Sequence, residues 1–202
     1  MAKSITVIHT AGAHVARFDA LAAQLDTQIK LHHVVRPDLL ERAQNEGITE
    51  DVRRALLAEF GPGVTLCTCT TLGPAAEAAG AIRIDRPMMK EAASLGGHVL
   101  LVVALKSTLV FCQDSLRESI EEAGTDTTFE TLFIPEVWTL FEEGDDAGFA
   151  QAIADRVTAT INGHCAVVLA QASMTHAAAL IASPPPVLTS PRLALGAALA
   201  RL

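Results

Sequence analysis

Hydrophobic positions along the chain follow two alternating rhythms. Short, nearly unbroken apolar runs at 4–8, 29–35, 64–69 and 81–84 are rich in β-branched residues and read as strands. Between them the spacing is helical: 14–25, a stretch from Pro37 to about Phe60, an Ala-rich segment after Gly73-Pro74, and a segment that Pro87 opens and Leu95 closes. The stretch from Pro37 breaks near Gly47, with Thr49 as the N-cap of its second part. After Gly96-Gly97 the same order restarts. Strands are predicted at 98–104, 127–134, 165–170 and 186–188. Helices are predicted from a Ser107 cap to about Glu122, over 147–162, after Ser173, and over 191–202. Buried apolar strands alternating with helices predict an α/β fold whose parallel sheet is covered on both faces.

The repeat of that order divides the chain into an N-terminal half at 1–95 and a C-terminal half at 96–202, with the helix at 191–202 able to pack back on the first half. The predicted fold is two pseudo-symmetric, Rossmann-like α/β halves, each a parallel four-stranded sheet flanked by helices. Val64-Thr-Leu-Cys-Thr-Cys-Thr-Thr71 lies against Ala166-Val-Val-Leu-Ala-Gln-Ala-Ser173. Each is an apolar strand that ends in a small polar turn before an Ala-rich helix.

Composition removes several function classes. Half of the 202 residues are hydrophobic and 19% are charged, which is too apolar for a disordered chain. Aromatic residues make up 4%, with no tyrosine and the single Trp138, so a base-stacking platform is not expected. The net charge of −8 argues against a nucleic-acid face. The longest apolar run, 99–105, is too short to span a membrane, and Met1 to Lys3 followed by the run at 5–8 does not form an export signal. A cytoplasmic protein with reduced thiols at Cys67, Cys69, Cys112 and Cys165 is expected. No His or Cys pairs stand at zinc-ligand spacing and no Gly-rich phosphate loop is present, so no metal and no organic cofactor are expected. His32-His33 fall on opposite faces of a strand. The acidic run 142–146 reads as a solvated loop and His176 as a helix-surface residue.

Ligands of parallel α/β sheets bind at the carboxyl ends of strands, where helix N-termini present free N–H groups. Those positions here hold His9-Thr10-Ala11-Gly12, Cys69-Thr70-Thr71, Lys106-Ser107-Thr108 and Gln171-Ala172-Ser173. The set suits a small carboxylate. Cys69, at a strand end before a helix, is placed where a dipole and a nearby cation lower a thiol pKa. Its position leaves two readings open, a reactive thiol or a buried packing residue. Cys67, two residues back, reads as structural, and Cys112 and Cys165 as packing residues.

Thr68-Cys69-Thr70-Thr71 resembles the Cys-Asn-Thr turn of the aspartate/glutamate/hydantoin racemase superfamily, in its short form reading Cys-Ser/Thr-Thr. The similarity continues through Ile84-Asp85-Arg86-Pro87-Met88, Leu169-Ala170-Gln171-Ala172-Ser173-Met174 and Pro186-Val187-Leu188-Thr189-Ser190-Pro191-Arg192. The resemblance implies an active site between two α/β halves, in which a cysteine from each half flanks the substrate α-carbon and the two exchange its proton. Cys69 matches the first cysteine. Gln171 stands where the second is expected, and glutamine is neither a general acid nor a general base near neutral pH. Cys165 is six strand residues away, about 20 Å at ~3.3 Å per residue, and does not replace it.

The reading is therefore a cofactor-independent racemase-like isomerase of a small carboxylic or amino acid. Cys69, Gln171, His9 and Asp85 are its candidate catalytic residues, with His9 or the Lys106 amine as a source of a second proton. Thr10, Ala11, Thr70, Thr71, Ser107, Thr108, Ala172 and Ser173 are its candidate substrate contacts. Asp85 has two readings, an orienter of a catalytic group or, the favoured one, the cap of the helix after it. Readings left open are a one-thiol decarboxylase or cis–trans isomerase, and a carboxylate-binding protein without turnover. The Ala/Leu-rich 191–202 segment offers a surface for a homodimer or for intramolecular packing.

Overall fold

The computed structural model describes residues 4–25, 29–182 and 185–202; Met1 to Lys3, part of the segment expected not to form an export signal, lie outside them. The chain divides into two compact units, one formed by residues up to Ile84 together with Pro191–Leu202, the other by Asp85–Ser190.

The first unit runs β1 (Ser4–His9), α1 (Ala13–Leu25), β2 (Lys30–Val35), α2 (Pro37–Glu46), α3 (Glu50–Leu57), β3 (Val64–Cys67), α4 (Gly73–Ala78) and β4 (Ile82–Arg83). Its four strands are parallel in the order β2-β1-β3-β4. Helix α5 (Arg86–Ser94) opens the second unit, followed by β5 (His98–Val103), α6 (Leu109–Ala123), β6 (Thr128–Phe133), α7 (Trp138–Glu142), α8 (Asp146–Thr160), β7 (Ala166–Leu169) and β8 (Val187–Thr189). Its sheet is again parallel, in the equivalent order β6-β5-β7-β8. Helix α9 (Ser190–Leu199) follows. Two parallel four-stranded sheets flanked by helices are the architecture expected from the sequence.

Burial explains the two kinds of strand. The central β5 and β7 carry apolar side chains on both faces, and Val99–Val103 and Ala166–Leu169 are wholly buried. The edge strands β2 and β6 keep polar residues and partial exposure. Leu100, Val102, Val167 and Leu169 pack with Phe149 and Ile153 of α8 in the second core. In the first, Ile8 and Cys67 pack with Leu39, Val52 and Leu56 of α2 and α3. Thr49 caps α3 as expected, accepting from Val52 N–H at 3.3 Å. Gly124 closes α6 in the left-handed region at φ +64°.

Several local expectations change. Ser107 does not cap α6; Lys106–Thr108 form a 3-10 turn, and the α-helix starts only at Leu109. Residues 172–179 form a 3-10 helix rather than an α-helix. Asp85 makes no capping bond through its side chain, which is fully buried. The acidic run 142–146 is not one loop: Glu142 ends α7, and Asp145 caps α8 by accepting from Gly148 N–H at 2.9 Å.

A buried polar chain ties β1 to β2, β3 and α1. His9, at the end of β1, shares a sheet face with His33, which is in register with Val7. The Thr68 hydroxyl donates to the Ile8 carbonyl at 3.1 Å, so its oxygen is left to accept from His9 Nδ1–H at 2.9 Å. His9 Nε2 is paired with His33 Nδ1 at 2.8 Å, and His33 Nε2 with Asp19 Oδ1 at 3.0 Å. Every ring nitrogen of the two histidines has a polar partner.

Burial, followed by the charges at His33 and His14, pushes the His9 pKa down from 6.5 to about 3, against the pull of Asp19. His14 is lowered to about 4, again by burial first and then by Arg17. In this window the unfolded chain binds protons at these histidines that the folded chain refuses. Their contribution is therefore fully present above pH 6.5 and is lost as the pH falls toward 3. The urea midpoint is expected to drop steadily between pH 6.5 and 4, and to drop less steeply in His9→Gln. An unchanged slope in the variant would remove His9 from this role.

Candidate active site

The parallel pairing of β1 with β3 and of β5 with β7 brings the turns at their carboxyl ends side by side within each unit. Ile8 is in register with Cys67, and Val102 with Leu169. The pairing is prolonged in the same way past both strand ends. Thr68 N–H donates to the Ile8 carbonyl at 2.9 Å, and Ala170 N–H to the Val102 carbonyl at 3.1 Å. Counting two residues on from each register pair, Cys69 lies beside Thr10 and Gln171 beside Ala104. Cys69 and Gln171 are therefore topological equivalents, as the alignment of the two segments expects.

In the first unit, Cys69, Thr70 and Thr71 are all buried, Cys69 at 6% exposure. Burial is the largest influence on the Cys69 thiol and holds its pKa above the ordinary 9.0. Hydrogen bonds from the Thr10 hydroxyl, the Leu72 and Thr71 backbone N–H groups and the Thr71 hydroxyl act the other way, without reversing it. This corrects the expectation of a thiol lowered by a dipole and a nearby cation: the donors are present, and desolvation outweighs them. They are the groups that would hold a thiolate, or a bound carboxylate, once charge arrives. Cys67 is fully buried and donates weakly to the Cys69 carbonyl at 3.8 Å, a structural role.

His9 reaches the site only through its neighbour. Both its ring nitrogens are taken, by Thr68 and by His33, and Thr68 directly precedes Cys69. Thr10 and Ala11 follow His9 and are half-buried.

In the second unit the Gln171 side chain, 7% exposed, turns back on its own sheet. Its Oε1 accepts from Ala104 N–H at 2.7 Å and from Leu105 N–H at 3.4 Å. Thr108 is buried and donates to the Leu105 carbonyl at 2.8 Å, so its hydroxyl proton is spent locally. Ser107 and Lys106 are exposed, Ala172 is buried and Ser173 half-buried. Cys165 donates to the Gly96 carbonyl at 2.9 Å. The wiring of His9 to His33 and Asp19 was not read from the sequence; the one signal for it was that positions 7, 9 and 33 would share a face if β1 and β2 paired in this register.

No family model matches the chain, and no curated protein does. Solved structures do share its fold. Aspartate racemase of Picrophilus torridus superposes with a TM-score of 0.70 at 14% identity, over 98% of this chain and 93% of that one. Glutamate racemase of Francisella tularensis, solved in complex with D-glutamate, gives 0.69 at 10% identity, over 98% and 80%. An aspartate racemase homologue from Pyrococcus horikoshii gives 0.61 at 13% identity, over 99% and 98%. At these identities the likeness is one of architecture: along nearly its whole length, the chain has the fold of the aspartate and glutamate racemases.

Proposed function

We propose that the protein is a racemase-like isomerase of the aspartate/glutamate racemase superfamily, acting on a small carboxylic or amino acid without an organic cofactor. Cys69 is its acid/base group at the substrate α-carbon. The observation that carries this reading is the Cys69 turn itself. In a fold shared with aspartate and glutamate racemases, a buried thiol just past β3 receives hydrogen bonds from Thr10 and Thr71. Thr10, Thr70 and Thr71, with the N–H groups of their turn, hold the carboxylate, and Ala11 leaves room for it. Gln171, Ala172 and Ser173 form the corresponding turn of the second unit, with Ser107 and Thr108 on its neighbour. His9 is a positioning residue that fixes Thr68 and through it the Cys69 backbone.

Gln171, the topological equivalent of Cys69, has no titratable proton, so no second acid/base group is assigned beside the Cys69 thiol. A proton removed and returned by the same thiol regenerates the starting enantiomer. Hydrogen exchange at the α-carbon is therefore expected to outrun inversion, unlike in an enzyme with two equivalent thiols.

Incubation of L- and D-aspartate and glutamate in deuterated water, followed by proton NMR and chiral analysis, tests this directly. Loss of the α-proton signal should precede racemisation for at least one substrate. Cys69→Ala should slow exchange by about a hundredfold or more. Carbon dioxide release with no deuterium in the recovered substrate would replace the reading by a one-thiol decarboxylase, and an exchange rate untouched in Cys69→Ala would overturn it. Because burial holds the thiol above its ordinary 9.0, the exchange rate should still be rising at that pH; a rate already level near neutrality would contradict a protonated resting thiol.

A further inference from the structure

The second sheet gathers three ligating side chains that sequence spacing did not reveal. His98 opens β5, Glu130 lies on the neighbouring β6, and His164 sits in the turn that leads into β7. That turn is fastened to the start of β5, since Cys165 N–H donates to the His98 carbonyl at 2.8 Å. His164 Nε2 is 3.5 Å from Glu130 Oε2, and His98 Nε2 is 3.9 Å from the same oxygen. One ligand atom from each residue lies within 4.8 Å of the other two.

Two further features favour a bound cation over a chance cluster. The His164 side chain is 5% exposed, and both of its ring nitrogens are buried without a hydrogen-bond partner. A buried imidazole in that state has lost its water and formed no hydrogen bond in return, its ring being only stacked on that of His98; native interiors avoid this unless an ion or ordered water completes the site. The His98 ring, in contrast, is already oriented. Its Nδ1 is paired with Thr128 Oγ1 at 2.9 Å, which leaves Nε2, the nitrogen facing Glu130, as the ligand atom. Such an outer partner is the usual means of fixing a metal-binding histidine.

The spacing is within reach of an ion. Donors arranged tetrahedrally around an ion at ~2.0–2.1 Å stand about 3.3 Å apart. The observed 3.5 Å is close to that, the 3.9 Å needs closing by about 0.6 Å, and all three ligand atoms lie within 4.8 Å of one another, a gap that side-chain rotation would close. Two imidazole nitrogens and one carboxylate oxygen suit zinc and its transition-metal neighbours better than magnesium or calcium, which take oxygen sets.

We propose that His98, Glu130 and His164 form a binding site for a divalent transition-metal ion of the zinc type, with its remaining positions open to water. The site joins β6, β5 and the turn before β7 at the amino end of their sheet, whereas the Gln171 turn is at the carboxyl end. Its role is therefore to brace the sheet rather than to take part in proton transfer.

The full-length protein, freed of metal by a chelator, would be titrated with Zn²⁺ against a chromophoric chelator, and with Co²⁺ by visible absorption. Binding of a single ion per chain is expected, with a rise in melting temperature on adding Zn²⁺ and a Co²⁺ spectrum lacking a thiolate charge-transfer band. Affinity should fall about tenfold or more in Glu130→Gln and in His98→Ala, both changes at exposed side chains, and stay unchanged in Cys165→Ser. In the wild-type chain, the His164 ring signals should shift on adding Zn²⁺, a readout that needs no variant. Absence of binding at micromolar Zn²⁺ would overturn the proposal. So would a thiolate band lost in Cys165→Ser, equal binding of Mg²⁺, or His164 signals that do not move.

Discussion

The pairing of β1 with β3, repeated by β5 with β7, is the constraint on which the rest depends. Central strands with apolar side chains on both faces have one stable environment, a parallel sheet covered by helices. That pairing makes the carboxyl-end turns neighbours without any contribution from the turns themselves. The Ile8–Cys67 register fixes Thr10 beside Cys69, and the Val102–Leu169 register fixes Ala104 beside Gln171. A slip of one residue would turn every side chain of these strands to the opposite face and undo both relations.

Much of this was legible in the sequence because it depends on periodicity and local chemistry. The apolar runs, the break at Gly47 and the Thr49 cap each report a preference of a few neighbouring residues. The equivalence of Cys69 and Gln171 was legible too, since it follows from aligning one strand–turn with another. What could not be read depends on which strands pair and at what depth. The His9–His33–Asp19 chain needs the β1–β2 register, and the His98–Glu130–His164 cluster needs the order β6-β5-β7; the sequence separations involved are far larger than any ligand motif. The direction of the Cys69 pKa is not legible because position in a turn says nothing of burial, and burial is the larger influence.

That same burial gives the Cys69 turn its chemical character. A thiol kept protonated at rest does not react with solvent-borne oxidants or metals as a standing thiolate would. Yet the donors from Thr10, Thr71 and Leu72 are already in position to receive negative charge on the sulfur. The cost of creating the thiolate and the means of stabilising it are thus built into the same few residues. His9 serves this arrangement by staying neutral. A charged imidazolium beside Thr68 would change the field at the turn, and its depressed pKa keeps that from happening anywhere near neutrality.

The two units answer one topological position with different chemistry. In the first, the residue two past the register pair is a thiol whose neighbour Thr10 donates through its side chain. In the second it is an amide whose neighbour Ala104 donates through its backbone. Ala104 has no side-chain donor to offer, and a cysteine at 171 would be too short to reach two backbone N–H groups as the longer glutamine does. Gln171 therefore satisfies the buried N–H of Ala104 and, more weakly, the half-buried N–H of Leu105. Gln171 thus places a non-titratable amide at this position and completes the strand end in a single side chain.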